Sequence, residues 1–243
     1  MALAITVNDA DYSDNSIGWE APTSAQPATA LFALNSASGL KNLASGGVQP
    51  TAKTGAPVFT AGVAGKSLPL VTLGYNEILE TYQLFTPQIT ILSLINLGSG
   101  NPNIIQTPNI GSSPAGLSLA QRGGTMNNFL ACSNAAQQLS ENADGLVFGT
   151  WQIHAWQCDI TTKTPVLNYK NYTTGISAGG TGSFPDIYTP INTFELGGAG
   201  DNAASSTFEA ASYLIWDTIL AADDLTAAVA WMRQWAKSFG QSV

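Results

Sequence analysis

Charge is scarce in this sequence. Lys and Arg number 8 and Asp and Glu 16 among 243 residues, so only 10% of the chain is charged, against roughly 25% in an ordinary soluble domain. So few basic residues and a net charge of −8 exclude nucleic-acid binding, which needs Lys and Arg to neutralise phosphates. The same shortage argues against docking on an anionic membrane. Histidine occurs once, at His154, which excludes a centre of His ligands and a His dyad. Two cysteines cannot form a disulfide scaffold. No apolar run approaches the roughly 18–20 residues of a membrane span. The opening segment lacks a basic region and meets Asp9 early, unlike a secretory signal.

What is present is a normal apolar share, 44%, with 24 Gly and 12 Pro. The polar surface must therefore come from Ser, Thr, Asn and Gln. Short apolar runs separated by turn residues read as strands. They fall at Leu31–Leu34, Leu68–Leu73, Ile78–Phe85, Ile89–Leu97, Gly116–Ala120, Asn127–Cys132, Leu146–Ile160, Val166–Tyr172, Thr193–Leu196 and Ala210–Ile219. The runs are too close together for crossover helices, so they should pair antiparallel.

Alternation is clearest from Gly149 to Ile160. It places His154, Trp156, Cys158 and Ile160 on a core face, with Ile153, Ala155, Gln157 and Asp159 opposite. The run Ile89–Leu97 reads as a strand buried on both faces. One helix is expected, over residues 223–239. Leu225, Val229, Met232 and Trp235 or Ala236 form its stripe, Asp223 and Asp224 suit its first turn, Arg233 and Lys237 its end, and Gly240 its stop. Residues 1–27 read as an N-terminal arm able to dock on a neighbouring subunit, and 28–243 as one domain. The fold class is an all-β, antiparallel two-sheet β-sandwich with one C-terminal α-helix.

Four segments in order carry a family resemblance. They are Thr54–Leu68, with its Gly-rich turn; Gly149–Trp156 followed by Leu167–Tyr172; Phe194–Gly198; and Phe208–Leu220 leading through Asp223–Leu225 into the helix. Together they resemble the concanavalin A-like, laminin-G-like jelly-roll domains of the bacterial and phage type. The resemblance covers residues 30–240. Ala210, Ser212 and Lys170 depart from the family pattern. It implies two sheets packed face to face, one convex and one concave, and a non-enzymatic phage structural or adhesive protein.

Catalytic signatures are missing. Glucanases on this fold need an acidic pair on one strand face. The nearest pair, Glu77 and Glu80, is three residues apart, so strand alternation sends the two to opposite faces. No Gly-x-Ser-x-Gly elbow accompanies His154, which reads as a hydrogen-bonded core residue. Cys132 and Cys158 could pair, which would contribute roughly 3–4 kcal/mol, but without an export signal reduced thiols are expected. Asp9, Asp11 and Asp14 form the densest acidic cluster. They are the weak metal candidates, and calcium is the one cofactor the cluster admits.

Aromatics carry the binding expectation. Trp19, Tyr82, Tyr169, Tyr172 and Tyr188 lie in loops or on polar-flanked strands, where a ring among amides and hydroxyls suits sugar stacking or a protein interface. The leading expectation is a virion protein of the capsid-decoration, spike or tail-fibre type. Its partners would be other virion proteins or further copies of itself, with no nucleic acid and no membrane. The alternative is a carbohydrate-binding module for a cell-surface glycan, and a polysaccharide lyase or glycoside hydrolase ranks third.

Overall fold

A computed structural model describes residues 19–33, 40–108, 116–131, 138–188, 191–198 and 206–243. In chain order the strands are β1 (Thr29–Ala33), β2 (Leu40–Asn42), β3 (Thr51–Thr54), β4 (Val58–Thr60), β5 (Leu70–Gly74), β6 (Ile78–Leu84), β7 (Gln88–Leu97) and β8 (Asn103–Gln106). They continue as β9 (Gly116–Arg122), β10 (Thr125–Ala131), β11 (Gln138–Asp144), β12 (Trp151–Asp159), β13 (Val166–Asn171), β14 (Ser177–Thr181), β15 (Thr193–Leu196) and β16 (Thr207–Trp216). The helix α1 (Ala222–Ser238) closes the sequence of elements.

The strands form two antiparallel sheets, as expected. The first runs β14-β13-β12-β7-β16-β1-β2, with β5 also on β16 and β4 on β5; the second runs β11-β10-β9-β8-β15-β6-β3. The free edge of β16 is shared. Its first half pairs with β5 and its second half with β1, on either side of an irregularity between Ala210 and Ser212. That bulge lets one strand serve two partners.

Alternation sorts the side chains of the first sheet. Ile89, Ile91, Ile95, Trp156, Cys158, Phe208 and Tyr213 point into the space between the sheets, where they meet Leu117, Leu119, Met126, Leu130, Phe194 and Leu196 of the second. Leu92, Leu94, Ile153, Ala155, Leu214 and Trp216 point outward, and α1 covers them with Leu225, Ala228, Val229, Met232 and Ala236. β7 therefore carries apolar residues on both of its faces, because it is buried on both sides. Trp156 ties the layers together, its Nε1 donating to Asn128 Oδ1 on β10 at 2.7 Å.

The helix begins and ends as its residues dictate. Asp223 and Asp224 occupy its first turn and Lys237 its last, complementing the dipole. Gly240 has φ +76°, and a Cβ there would lie 2.4 Å from the Gly65 carbonyl. Only glycine fits that left-handed stop. Thr90 fixes the approach to α1, donating to the Thr218 carbonyl at 2.8 Å and accepting from the Leu220 amide at 3.0 Å.

Candidate functional site

The outward face of the first sheet is not covered to its edge. Beyond the first turn of α1, strands β12, β13 and β14 remain open and form a groove of about 450 Å³. Register builds its floor in two rows. Gln157 lies opposite Asn168 and Asn168 opposite Gly179; Ala155 lies opposite Lys170 and Lys170 opposite Ser177. Leu225 of α1 forms one wall and Tyr172, just past β13, another.

Each lining group is positioned by the sheet. Gln157 donates to the Leu220 carbonyl at 2.9 Å, which fixes its amide beside the helix. The Lys170 ammonium stands 4.8 Å from the centre of the Tyr172 ring, a cation–π distance. Tyr172 is half-buried, and partial burial raises its phenol above the usual value. Its backbone is held on both sides. The amide donates to the Ile153 carbonyl at 2.8 Å, and the Tyr172 carbonyl accepts from Arg233 of α1 at 2.7 Å. At Gly179 a Cβ would lie 2.3 Å from Asn168 Oδ1, so the glycine leaves room for that amide. Among the described residues the lining offers amides, hydroxyls, one ammonium and two tyrosines, of which only Tyr172 is half-buried rather than buried, with no carboxylate, thiol or imidazole. Such a set suits hydrogen bonding and stacking.

The five aromatic candidates from the sequence do not converge. Tyr172 faces the groove. Tyr169 borders it but is only 2% exposed; contrary to its expected position on an accessible polar-flanked surface, its ring points into the inter-sheet core. There the tyrosine hydroxyl meets His154 Nδ1 at 2.9 Å. Tyr188 is half-buried against that same core. Trp19 packs on Phe32 and Trp231 with centroids 5.2 and 5.1 Å away, on the other flank of α1. Tyr82 stands on the second sheet, 47% exposed, at φ +60° and with its hydroxyl 2.7 Å from Thr51 Oγ1. Asp9, Asp11, Asp14 and Cys132 lie outside the described residues. Among the described residues no group of three or more His, Cys, Asp or Glu is placed to hold a metal ion.

His154 is a core residue. It stacks on Trp156 at 5.7 Å and is fully buried, and desolvation lowers its pKa to about 3. Among the described residues its Nε2 meets no hydrogen-bond partner, nor does the hydroxyl of Ser93, its neighbour across the β7–β12 ladder.

The sequence reading missed one charged constellation. Glu80 on β6 lies directly opposite Glu195 on β15. Lys53 from β3 bonds to Glu195 and lies 3.7 Å from Glu80. Glu80 is thus ion-paired, and its neighbouring acid comes from 115 residues later, not from Glu77. The hydrogen bond to Glu195, joined by its charge and that of Glu80, raises the Lys53 pKa against partial desolvation. With a protonated amine bound to both carboxylates, the trio is an ion-pair network rather than an acid–base couple.

No protein-family model and no curated protein matches the sequence. Solved structures do match in fold. The receptor-binding domain of botulinum neurotoxin type G aligns with a TM-score of 0.60 at 12% identity, over 86% of this chain and 51% of that one. The receptor-binding domain of botulinum neurotoxin D aligns with a TM-score of 0.59 at 13% identity, over 85% and 52%. The binding domain of botulinum neurotoxin DC, solved in complex with SialylT, aligns with a TM-score of 0.60 at 11% identity, over 85% and 51%. The chain spans about half the length of these structures. At such identities the likeness is one of β-sandwich fold.

Proposed function

We propose that this protein is a non-enzymatic binding module that takes a glycan in the groove beside β13. The observation that carries the reading is the groove's composition. A half-buried tyrosine ring lies among Gln157, Asn168, Lys170 and Ser177, on three hydrogen-bonded strands. Aromatic stacking with amide and hydroxyl hydrogen bonding is what a polyhydroxylated ring requires, and a floor of rigid strands supplies it with little ordering cost. That receptor-binding domains use the same sandwich, one of them solved with SialylT, supports binding over catalysis.

The finer setting follows from the sequence. A surface of Ser, Thr, Asn and Gln makes contacts that depend little on salt, as suits a capsid-decoration, spike or tail-fibre component of a virion with a concanavalin A-like jelly roll. The test is a glycan array with the intact chain, run with and without calcium. A family of related sugars is expected to bind, and Tyr172→Ala to abolish the signal. An array blank in both conditions, or binding untouched by Tyr172→Ala, removes the reading.

A further inference from the structure

We infer, resting on the glycan reading, that the sugar taken by the polar groove is acidic, with one carboxylate or sulfate group set against the Lys170 ammonium. Basic residues number 8 against 16 acidic ones, yet two of the eight meet at one residue of this groove. The Lys170 ammonium stands 4.8 Å from the centre of the Tyr172 ring, and Arg233 donates to the Tyr172 carbonyl at 2.7 Å. Among the described residues the lining holds that ammonium and no carboxylate. In a chain of net charge −8, a positive lining is a local reversal of sign, and such a reversal draws an anion to that spot.

Lys170 has no anion of its own. Among the described residues its ammonium forms no ion pair, unlike Lys53, which binds Glu195 and Glu80, and Lys163, which lies 3.5 Å from Asp186. An acid directly across the ladder would satisfy it, but its cross-strand partners are Ala155 and Ser177. Both are small, so the space beside the ammonium stays open, and the Ser177 hydroxyl adds a donor in the same row. A sugar lying in the groove takes water from this ammonium. A neutral sugar offers only hydroxyls in return, whereas an oxyanion returns a charge-assisted hydrogen bond. The rim limits how much charge the ligand carries. Asp159 follows Gln157 on the outward face of β12, its carboxylate held by Thr161 and Gln88. Asp223 and Asp224 open α1 just ahead of the Leu225 wall. These acids and the net charge of the chain repel a polymer charged on every residue. One acidic sugar among neutral neighbours meets the ammonium and avoids most of that repulsion.

The experiment probes the intact chain with an array that prints each acidic glycan beside its neutral parent, together with polygalacturonate, which is charged on every residue. The best acidic hit, its neutral parent and, for a carboxylate, its methyl ester are then compared by titration calorimetry. The acidic glycan is expected to bind about ten-fold more tightly than its neutral parent at low ionic strength, and the gap to narrow at high salt. Lys170→Gln should close the gap to about two-fold or less, and Lys170→Arg, which keeps the charge, should hold most of it. Loss of the preference on esterification assigns a carboxylate; an equal preference for sulfate esters assigns the charge itself. Neutral parents that bind as tightly as the acidic glycans, or a preference that survives Lys170→Gln, overturn the inference; if Tyr172→Ala still abolishes binding, the glycan reading stands without it. Tightest binding to polygalacturonate overturns it too. An array blank for every class removes both readings together.

Discussion

The two flanks of α1 differ in almost every respect although one helix walls both. Beside its first turn the sheet edge is lined by Gln157, Asn168, Lys170 and Ser177 with a single ring, Tyr172. Beside its last turns lie three tryptophans and two phenylalanines. The helix does not cause the contrast, because its buried stripe of Leu225, Ala228, Val229, Met232 and Ala236 is apolar along its whole length. The strands beneath do. β13 and β14 alternate between core and solvent, so their outward rows carry polar groups, while β1 is buried at every position. Polarity at a surface cavity here records which strand ends uncovered, and it separates a flank rich in amides and hydroxyls from an aromatic one.

The comparison is broken most severely by unseating the helix. Met232 is fully buried at the centre of the stripe, and Met232→Ala should cost about 2–5 kcal/mol through lost burial and a residual cavity. Urea unfolding would measure the loss. Both grooves should weaken together, whereas Gln234→Ala on the exposed face should stay within about 0.5 kcal/mol of wild type. A Met232→Ala protein of undiminished stability would mean that α1 is not held by this stripe.

Acid should act on one flank only. His154 lies on the inner face of β12, beneath the floor of the polar groove, and bonds to Tyr169 of β13. Its folded pKa of about 3 is below the ordinary imidazole value of 6.5, so between those values the unfolded chain binds a proton that the folded chain refuses. The stabilising contribution is therefore complete above pH 6.5 and falls as the pH is lowered, by up to about 1.4 kcal/mol per pH unit. Desolvation works to raise the Asp159 pKa, but its bonds to Thr161 and Gln88 lower it, so it adds acid sensitivity only as the pH falls through and below the ordinary carboxylate value. Denaturant melts from pH 7 to 4.5 should show the slope, and His154→Gln should flatten it. Hydrogen exchange at pH 5 should quicken in β12 and β13 before β1. An equal slope in the variant would assign the acid sensitivity elsewhere.

A smaller, local effect separates the flanks by ligand. Tyr172→Ala should weaken glycan binding about ten-fold or more, equivalent to about 1.4 kcal/mol, and Trp231→Ala should leave it unchanged. Titration calorimetry with an array hit makes the comparison, and equal losses would show that the groove is not the binding surface.

How much of this was legible in the sequence follows the same division between core and edge. The buried strands and α1 announced themselves through apolar period, and the split of β12 into a His154–Trp156 face and an Ile153–Ala155 face holds, but only the first was expected in a core, whereas the second is buried too, beneath α1. β3, β11 and β14 did not. Thr51-Ala-Lys-Thr54 and Ser177-Ala-Gly-Gly-Thr181 are outermost strands with small or polar residues, for which pairing rather than side-chain burial sets the conformation. The groove was half legible for that reason. Tyr172 stood out by residue type, but Gln157, Asn168 and Ser177 become neighbours only once the registers of β12, β13 and β14 are known. Glu80 and Glu195 were out of reach for the same cause, and the aromatic flank was obscured because Trp235 fits a core stripe as well as a groove wall.

The weakest expected effect concerns the start of the helix. The N-cap is Ala221, already extended at φ −61° and ψ 155° but without a side chain to bond the first turn. A capping box would bring an acid at Asp224 back to the cap, yet Asp224 instead accepts from the amide and hydroxyl of Ser24 at 3.1 and 3.2 Å. The helix's first-turn acid thus anchors the segment that follows Trp19. Ala221→Ser should supply the absent acceptor without disturbing that anchor, adding about 0.5–1 kcal/mol and raising Tm by about 1–4 °C in a chain of this size. Exchange of the Asp223 and Asp224 amides should slow, and the Leu225 wall of the polar groove should stiffen while the aromatic flank is unaffected. A Tm that stays the same or drops would show that the first-turn amides are already satisfied, and that the two ends of α1 are equally well finished.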